Sequence, residues 1–244
     1  MHKTVSRLIQ VAAGTTLALG LAAPASAASG TIMVPGDFDQ SLSDTRATGH
    51  YDVVGTGLRI WTDGTLGSTN KVAEYVNTST PLAQVTNTGL DLTTTSGTIK
   101  PGYQLVVDLD GDGDNDGILV GEPDAYGGNW WLGNHRTFPV DPAVATNPNT
   151  PREGGGGSPL NGTLAQWSGA YPDAVTNAFG FSLGSGVLGD YTINSITFGD
   201  TAYTFAEPVV LAGKEQCKNG GWATSTAPVF KNQGECVSSF ASGK

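Results

Sequence analysis

Cysteine and histidine are nearly missing from this chain. Among 244 residues there are two cysteines, Cys217 and Cys236, and three histidines. Two of these, His50 and His135, follow residue 27, and neither is near the cysteines in sequence. That scarcity excludes a zinc site and leaves one disulfide as the natural fate of the pair in an oxidising compartment. Closing a loop of this length contributes about 3 kcal/mol in the chain-entropy model. Basic residues are also few, with 12 Lys and Arg against 22 Asp and Glu. A chain so acidic lacks the footprint that phosphate backbones require, so nucleic acid and anionic membrane surfaces are poor partners.

Long apolar runs are absent apart from Leu8–Ala23. That run is shorter than the roughly 20 residues needed to span a bilayer. Basic residues precede it and Ala25-Ser26-Ala27 follows, which is the pattern of a secretory signal cleaved after Ala27. No cysteine follows the cut and no hydrophobic tail closes the chain, so the expected product is secreted, extracellular and not inserted in a membrane. Cleavage removes Lys3 and Arg7 and no acid, leaving 10 basic against 22 acidic residues and a net charge of −12.

What the chain does have is glycine, 35 residues, with period-two alternation of apolar side chains. Strands are expected over 51–61, 71–76, 104–109, 118–121, 129–132, 174–183, 191–198 and 202–206, with turn clusters such as Asp63-Gly64 and Gly199-Asp200 between them. The spacing predicts an all-β fold, a single antiparallel β-sandwich of jelly-roll type. Leu164, Trp167 and Tyr171 predict one short helix over 163–171 that covers a mouth of the sandwich. The Pro- and Gly-rich stretch 139–159 reads as a mobile loop within the domain 28–208. Residues 209–244 read as a small hairpin stapled by Cys217 and Cys236.

The most explicit chemistry is Asp108-Leu-Asp110-Gly-Asp112-Gly-Asp114-Asn-Asp116. On an extended segment alternate carboxylates lie roughly 7 Å apart on one face. Each neighbouring pair then repels by about 0.6–2.4 kcal/mol. Either a solvated loop or a bound hard cation relieves this, and calcium suits the oxygen-rich set better than magnesium. The EF-hand spacing fits from Asp112, where Pro123 takes the twelfth place, and also from Asp108. The flanking strands argue for a β–loop–β calcium site, with Glu122 as a further ligand.

Other motifs fail on context. Gly180-Phe-Ser182-Leu-Gly184 matches a nucleophile elbow, but no helix is expected after Ser182 and no histidine lies beyond His135. Gly184, Gly186 and Gly189 spell a dinucleotide fingerprint that runs into a strand. Trp130 and Trp131 point to opposite faces of one strand, so one packs and the other is a candidate for stacking on a ligand. Trp61, Trp167 and Trp222 are expected to pack. Glu122 and Asp124 would serve as paired carboxylates of a glycosidase, although their closeness to the Asp run makes metal ligation the simpler role.

Leu42-Ser-Asp-Thr-Arg-Ala-Thr-Gly49, Asp116-Gly-Ile-Leu-Val-Gly-Glu122, Asn129-Trp-Trp-Leu132, Phe179-Gly-Phe-Ser-Leu-Gly-Ser-Gly186 and Ile196-Thr-Phe-Gly199 resemble strings of a group of secreted actinobacterial proteins with no assigned function. The tail, Cys217-Lys-Asn-Gly-Gly-Trp222 with Phe230-Lys-Asn-Gln-Gly-Glu-Cys236, resembles a module that ends varied exported proteins. The resemblance implies origin and location and carries over no catalytic residue. The expected function is a non-enzymatic, calcium-stabilised binding or envelope-associated module for polysaccharide or a cell-wall component. The alternatives are a secreted glycan hydrolase and a structural matrix protein.

Overall fold

Alternation along the chain becomes two sheets in the computed structural model, which describes residues 28–65, 69–154 and 158–241. The expected signal segment 1–27 lies outside the described residues. In chain order the strands begin with β1 (Ala28–Met33), β2 (Gly49–Val54), β3 (Gly57–Thr62), β4 (Lys71–Pro81), β5 (Thr88–Ser96) and β6 (Gly102–Asp108). Then follow β7 (Gly117–Gly121), β8 (Trp130–Gly133), β9 (Asn161–Gly162), β10 (Val175–Gly184), β11 (Gly189–Phe198) and β12 (Thr201–Ala206). One sheet runs β1-β12-β11-β3-β2, with β5 also paired to β11; the other runs β4-β10-β6-β7-β8-β9.

The sheets share one core. Leu58, Ile60, Tyr191 and Ile193 from the first meet Val72, Leu105, Leu119, Phe179 and Phe181 from the second. The fold is therefore mostly β and sandwich-like, but it is not purely antiparallel, because β1 pairs parallel to β12. The second sheet is covered on its far side as well. Leu42, Ala73, Tyr75, Val106, Ile118, Val120 and Ala178 form a second apolar cluster there, with Trp131 and Phe138 packed on it. This explains why every residue of β6 and β7 is buried, as continuous apolar runs require when both faces are covered.

The edge strand β4 is not left open. Asp39, Asp44 and Arg46 donate backbone N–H groups to the carbonyls of Tyr75, Ala73 and Lys71. An irregular segment thus caps an edge that would otherwise template association. Salt bridges from Asp44 to Lys71 (2.8 Å) and Arg46 (3.3 Å) fasten it. In the neighbouring strand, Gly180 permits close packing, since a Cβ there would lie 2.0 Å from the Glu74 carbonyl oxygen. The Tyr75 hydroxyl reaches across Gly180 to bond Gln104.

Four helices are described, not one. The expected helix is α3 (Leu164–Ala170), with a Thr163–Gln166 capping box. Trp167 is fully buried, and its indole N–H donates to the Trp130 carbonyl at 3.0 Å. The others are α1 (Pro123–Tyr126), α2 (Pro142–Thr146) and α4 (Gln233–Ala241). Part of the expected loop 139–159 is helical, in α2: Val144 enters the main core, and Thr150 bonds both the Val144 carbonyl and Tyr171. The expected strand 51–61 is a hairpin, β2 turning at Gly55 into β3. The tail is also corrected. Among the described residues it contains two 3-10 turns and α4 and no strand, held by the Cys217–Cys236 bridge around its own core with Leu211 and Phe230.

Candidate functional site

The aspartate loop joins β6 to β7. Gly111 and Gly113 take positive φ of 78° and 101°, conformations that glycine adopts without steric cost. The chain curls so that their N–H groups donate to Asp108 Oδ1 (2.8 Å) and Oδ2 (3.0 Å). Asp116, from the far side of the loop, accepts from the N–H groups of Leu109 (2.6 Å) and Asp110 (3.3 Å). Oxygens of Asp108, Asp110 and Asp116 consequently all lie within 4.8 Å of one another. At that distance each ionised pair repels by about 0.9–3.5 kcal/mol.

Asp108 and Asp116 are buried, at 5% and 3% exposure, whereas Asp110 faces solvent. Burial raises the Asp116 carboxyl above its ordinary range, the donated N–H bonds oppose that rise, and the charges of Asp110 and Asp141 add to it. Three convergent carboxylates with lone pairs left over suit a hard cation, which takes its remaining oxygens from backbone or water. The structure thus gathers three of the six expected ligands. Asp112 and Asp114 are exposed, and Asp110 and Asp112 each accept an N–H two residues on. Glu122 sits beyond the other end of β7 and accepts from the Trp131 indole N–H at 3.0 Å.

That opposite end holds a cleft of about 660 Å³, formed by the β5 face, the 98–101 connection, α1 and residues 127–130. Trp130, 8% exposed, packs edge-on against Tyr103 and belongs to the main core while lining the cleft. Trp131 emerges on the other face of the sheet, partly buried beside Tyr126. The two tryptophans therefore divide as strand alternation requires. Tyr126, Ile99 and Lys100 carry no sequence-based expectation, whereas Asp124 stands beside Glu122 at this cleft as the paired-carboxylate reading had it. The Pro123-Asp-Ala-Tyr126 turn followed by Gly127-Gly128 was the local signal for it.

Ser182 is buried within β10, and its hydroxyl bonds to nothing among the described residues. His135 is engaged elsewhere, with the Leu42 carbonyl and Thr137. Among the described residues no nucleophile–base pair forms at the G-x-S-x-G string. Trp61, expected to pack, is instead partly exposed, stacked on His50 and beneath the Arg59 guanidinium. No family model, curated protein or solved structure matches this chain. No described helix is long and apolar enough to cross a membrane.

Proposed function

We propose that this is an exported, calcium-stabilised binding module that holds an extracellular polysaccharide or cell-wall glycan. A jelly-roll-like sandwich is the scaffold, and Asp108, Asp110 and Asp116 bind the ion that ties β6 to β7. The observation that carries the binding role is the cleft beside Trp130. Its volume falls within the range of ligand pockets, and it combines aromatic and aliphatic walls with a few polar groups. Sugar rings present apolar faces and hydroxyl edges, which such a surface matches.

A glycan array tests the role directly, comparing wild type with Tyr126→Ala. Trp61→Ala, partly exposed outside the cleft, serves as the second variant, because Trp130 is too deeply packed to remove cleanly and Trp131 bonds Glu122 and packs beside Tyr126. Selective loss of signal in Tyr126→Ala supports glycan binding in the cleft. Silence of the folded wild type across all polysaccharides refutes the role.

One observation favours a second reading as a glycan hydrolase, since Glu122 and Asp124 both line the cleft. Glycosidases set two carboxyls about 5–10 Å apart across the scissile bond. Here the two stand on one rim, and Asp124 is paired with Lys100 at 2.8 Å. A reducing-sugar assay on any glycan that binds distinguishes the readings: release of ends favours the hydrolase.

A further inference from the structure

The cleft opens directly onto the core of the sandwich. Its inner wall is made by Tyr103 and Trp130, both members of the main core, and by Leu90 and Leu92, which pack against that core. Leu90 and Leu92 belong to β5, which among the described residues pairs only with β11. Tyr103 and Trp130 come from the other sheet. The two sheets therefore part at this end, and apolar side chains of both line the gap. Polar groups of the inner wall are already engaged. The Tyr103 hydroxyl donates to the Thr197 carbonyl at 2.9 Å. The Tyr191 hydroxyl donates to the Ile99 carbonyl at 2.9 Å, which pins the 98–101 connection as one side of the cleft. Glu122 turns its carboxylate to the Trp131 indole N–H at 3.0 Å, on the opposite face of the sheet. Charge is left at the mouth, where the exposed side chains of Lys100 and Asp124 neutralise each other at 2.8 Å.

A hydroxyl carried between the sheets would leave water for a wall whose own polar groups are engaged, a cost that an alkyl group does not incur. An alkyl group placed there gains by covering core side chains that otherwise face the gap. We propose that the cleft binds an uncharged sugar that bears an alkyl or acyl chain. The chain enters between Leu90, Leu92, Tyr103 and Trp130, and the sugar stays at the Lys100–Asp124 rim, where hydroxyls meet charged partners. This rests on the glycan-binding reading and assigns which part of the ligand enters the cleft. An anionic head is disfavoured, because Lys100 is already paired and the chain as a whole is strongly acidic.

The test is titration calorimetry of the mature chain with methyl, butyl, hexyl and octyl glucosides, all below the concentration at which they form micelles. Octanol and sodium octanoate are the controls for the head group. The expected result is affinity that rises about threefold for each added methylene until the cleft is filled. Octyl glucoside should also bind more tightly than octanol or octanoate. Leu90→Gln, which places an amide on the inner wall, should flatten the dependence on chain length. Ile99→Glu repeats the test at a cleft residue that is 56% exposed, so the fold is spared, and should weaken octyl glucoside by about tenfold or more. Thermal melts confirm that each variant folds. Affinity independent of chain length, or a dependence that survives both variants, overturns the assignment. So does octanol or octanoate binding as tightly as octyl glucoside. If the chain-length dependence is missing while the array finds an unsubstituted glycan, this assignment fails and glycan binding stands. If no glucoside binds and the array is also silent, both fall.

Discussion

Glu74 offers a sharp test of how the sandwich edge is held. It is 1% exposed, next to the segment that caps β4. Its Oε1 accepts from the hydroxyls of Ser43 (2.9 Å) and Thr45 (2.6 Å), while Oε2 is buried with no partner. No cation pairs with it among the described residues. Burial raises its carboxyl above the ordinary range; the two hydroxyls oppose this, and Asp44 adds to it. A folded-state value above the unfolded one means that the contribution of Glu74 is fully present below the unfolded value near 4.5. It is lost as pH rises through the folded value, and the loss then stays constant.

Each unit of elevation corresponds to about 1.4 kcal/mol. Glu74→Gln keeps the acceptor for Ser43 and Thr45 and removes the titration. It should therefore be more stable than wild type at pH 7–8, where the uncompensated buried charge is fully present. For a domain of this size each kcal/mol gained raises the melting temperature by about 2–4 °C. The assay is thermal unfolding by circular dichroism from pH 4 to pH 8. The gap between variant and wild type should shrink toward pH 4. A Glu74→Gln protein less stable than wild type at pH 8, or a gap independent of pH, would refute the reasoning.

Gly180→Ala should lower stability by several kcal/mol, since the added Cβ meets backbone at 2.0 Å and β4 must part from β10; chemical denaturation checks this. Asp116→Asn should weaken calcium binding by about an order of magnitude or more by removing one of three carboxylates, whereas Asp114→Asn should change it little; calorimetric titration separates the two. Reducing Cys217–Cys236 should disorder residues 209–241 and spare the sandwich, because the tail packs around its own core. Proteolysis of reduced protein should then trim the C-terminus and leave a resistant fragment.

The β character was legible because Val, Ile, Thr and aromatic residues alternate, and α3 because its capping box and its Leu164–Trp167–Tyr171 spacing are local signals. The opposite facing of Trp130 and Trp131 followed from strand geometry alone. The Glu122 reading failed on the same geometry. Strand 118–121 places it about 20 Å along the chain from Asp116, too far to share an ion. The parallel pairing of β1 with β12 joins the two ends of the domain, and no local pattern encodes it. The cleft escaped notice for a similar reason, since it combines Leu90, Lys100 and Tyr126 from separate turns of the fold. In the tail, Asn232-x-x-Glu235 was a capping signal that the hairpin reading passed over: Asn232 accepts from the Glu235 N–H at 2.9 Å and opens α4.

The most direct test of the account is calorimetric titration of calcium into metal-free mature protein, paired with melting curves in calcium and in chelator. The account predicts heat of uptake at one site and a melting temperature that falls on chelation, because an ion bound only by the folded state stabilises it by mass action. No heat of uptake, with identical melting curves, would contradict it.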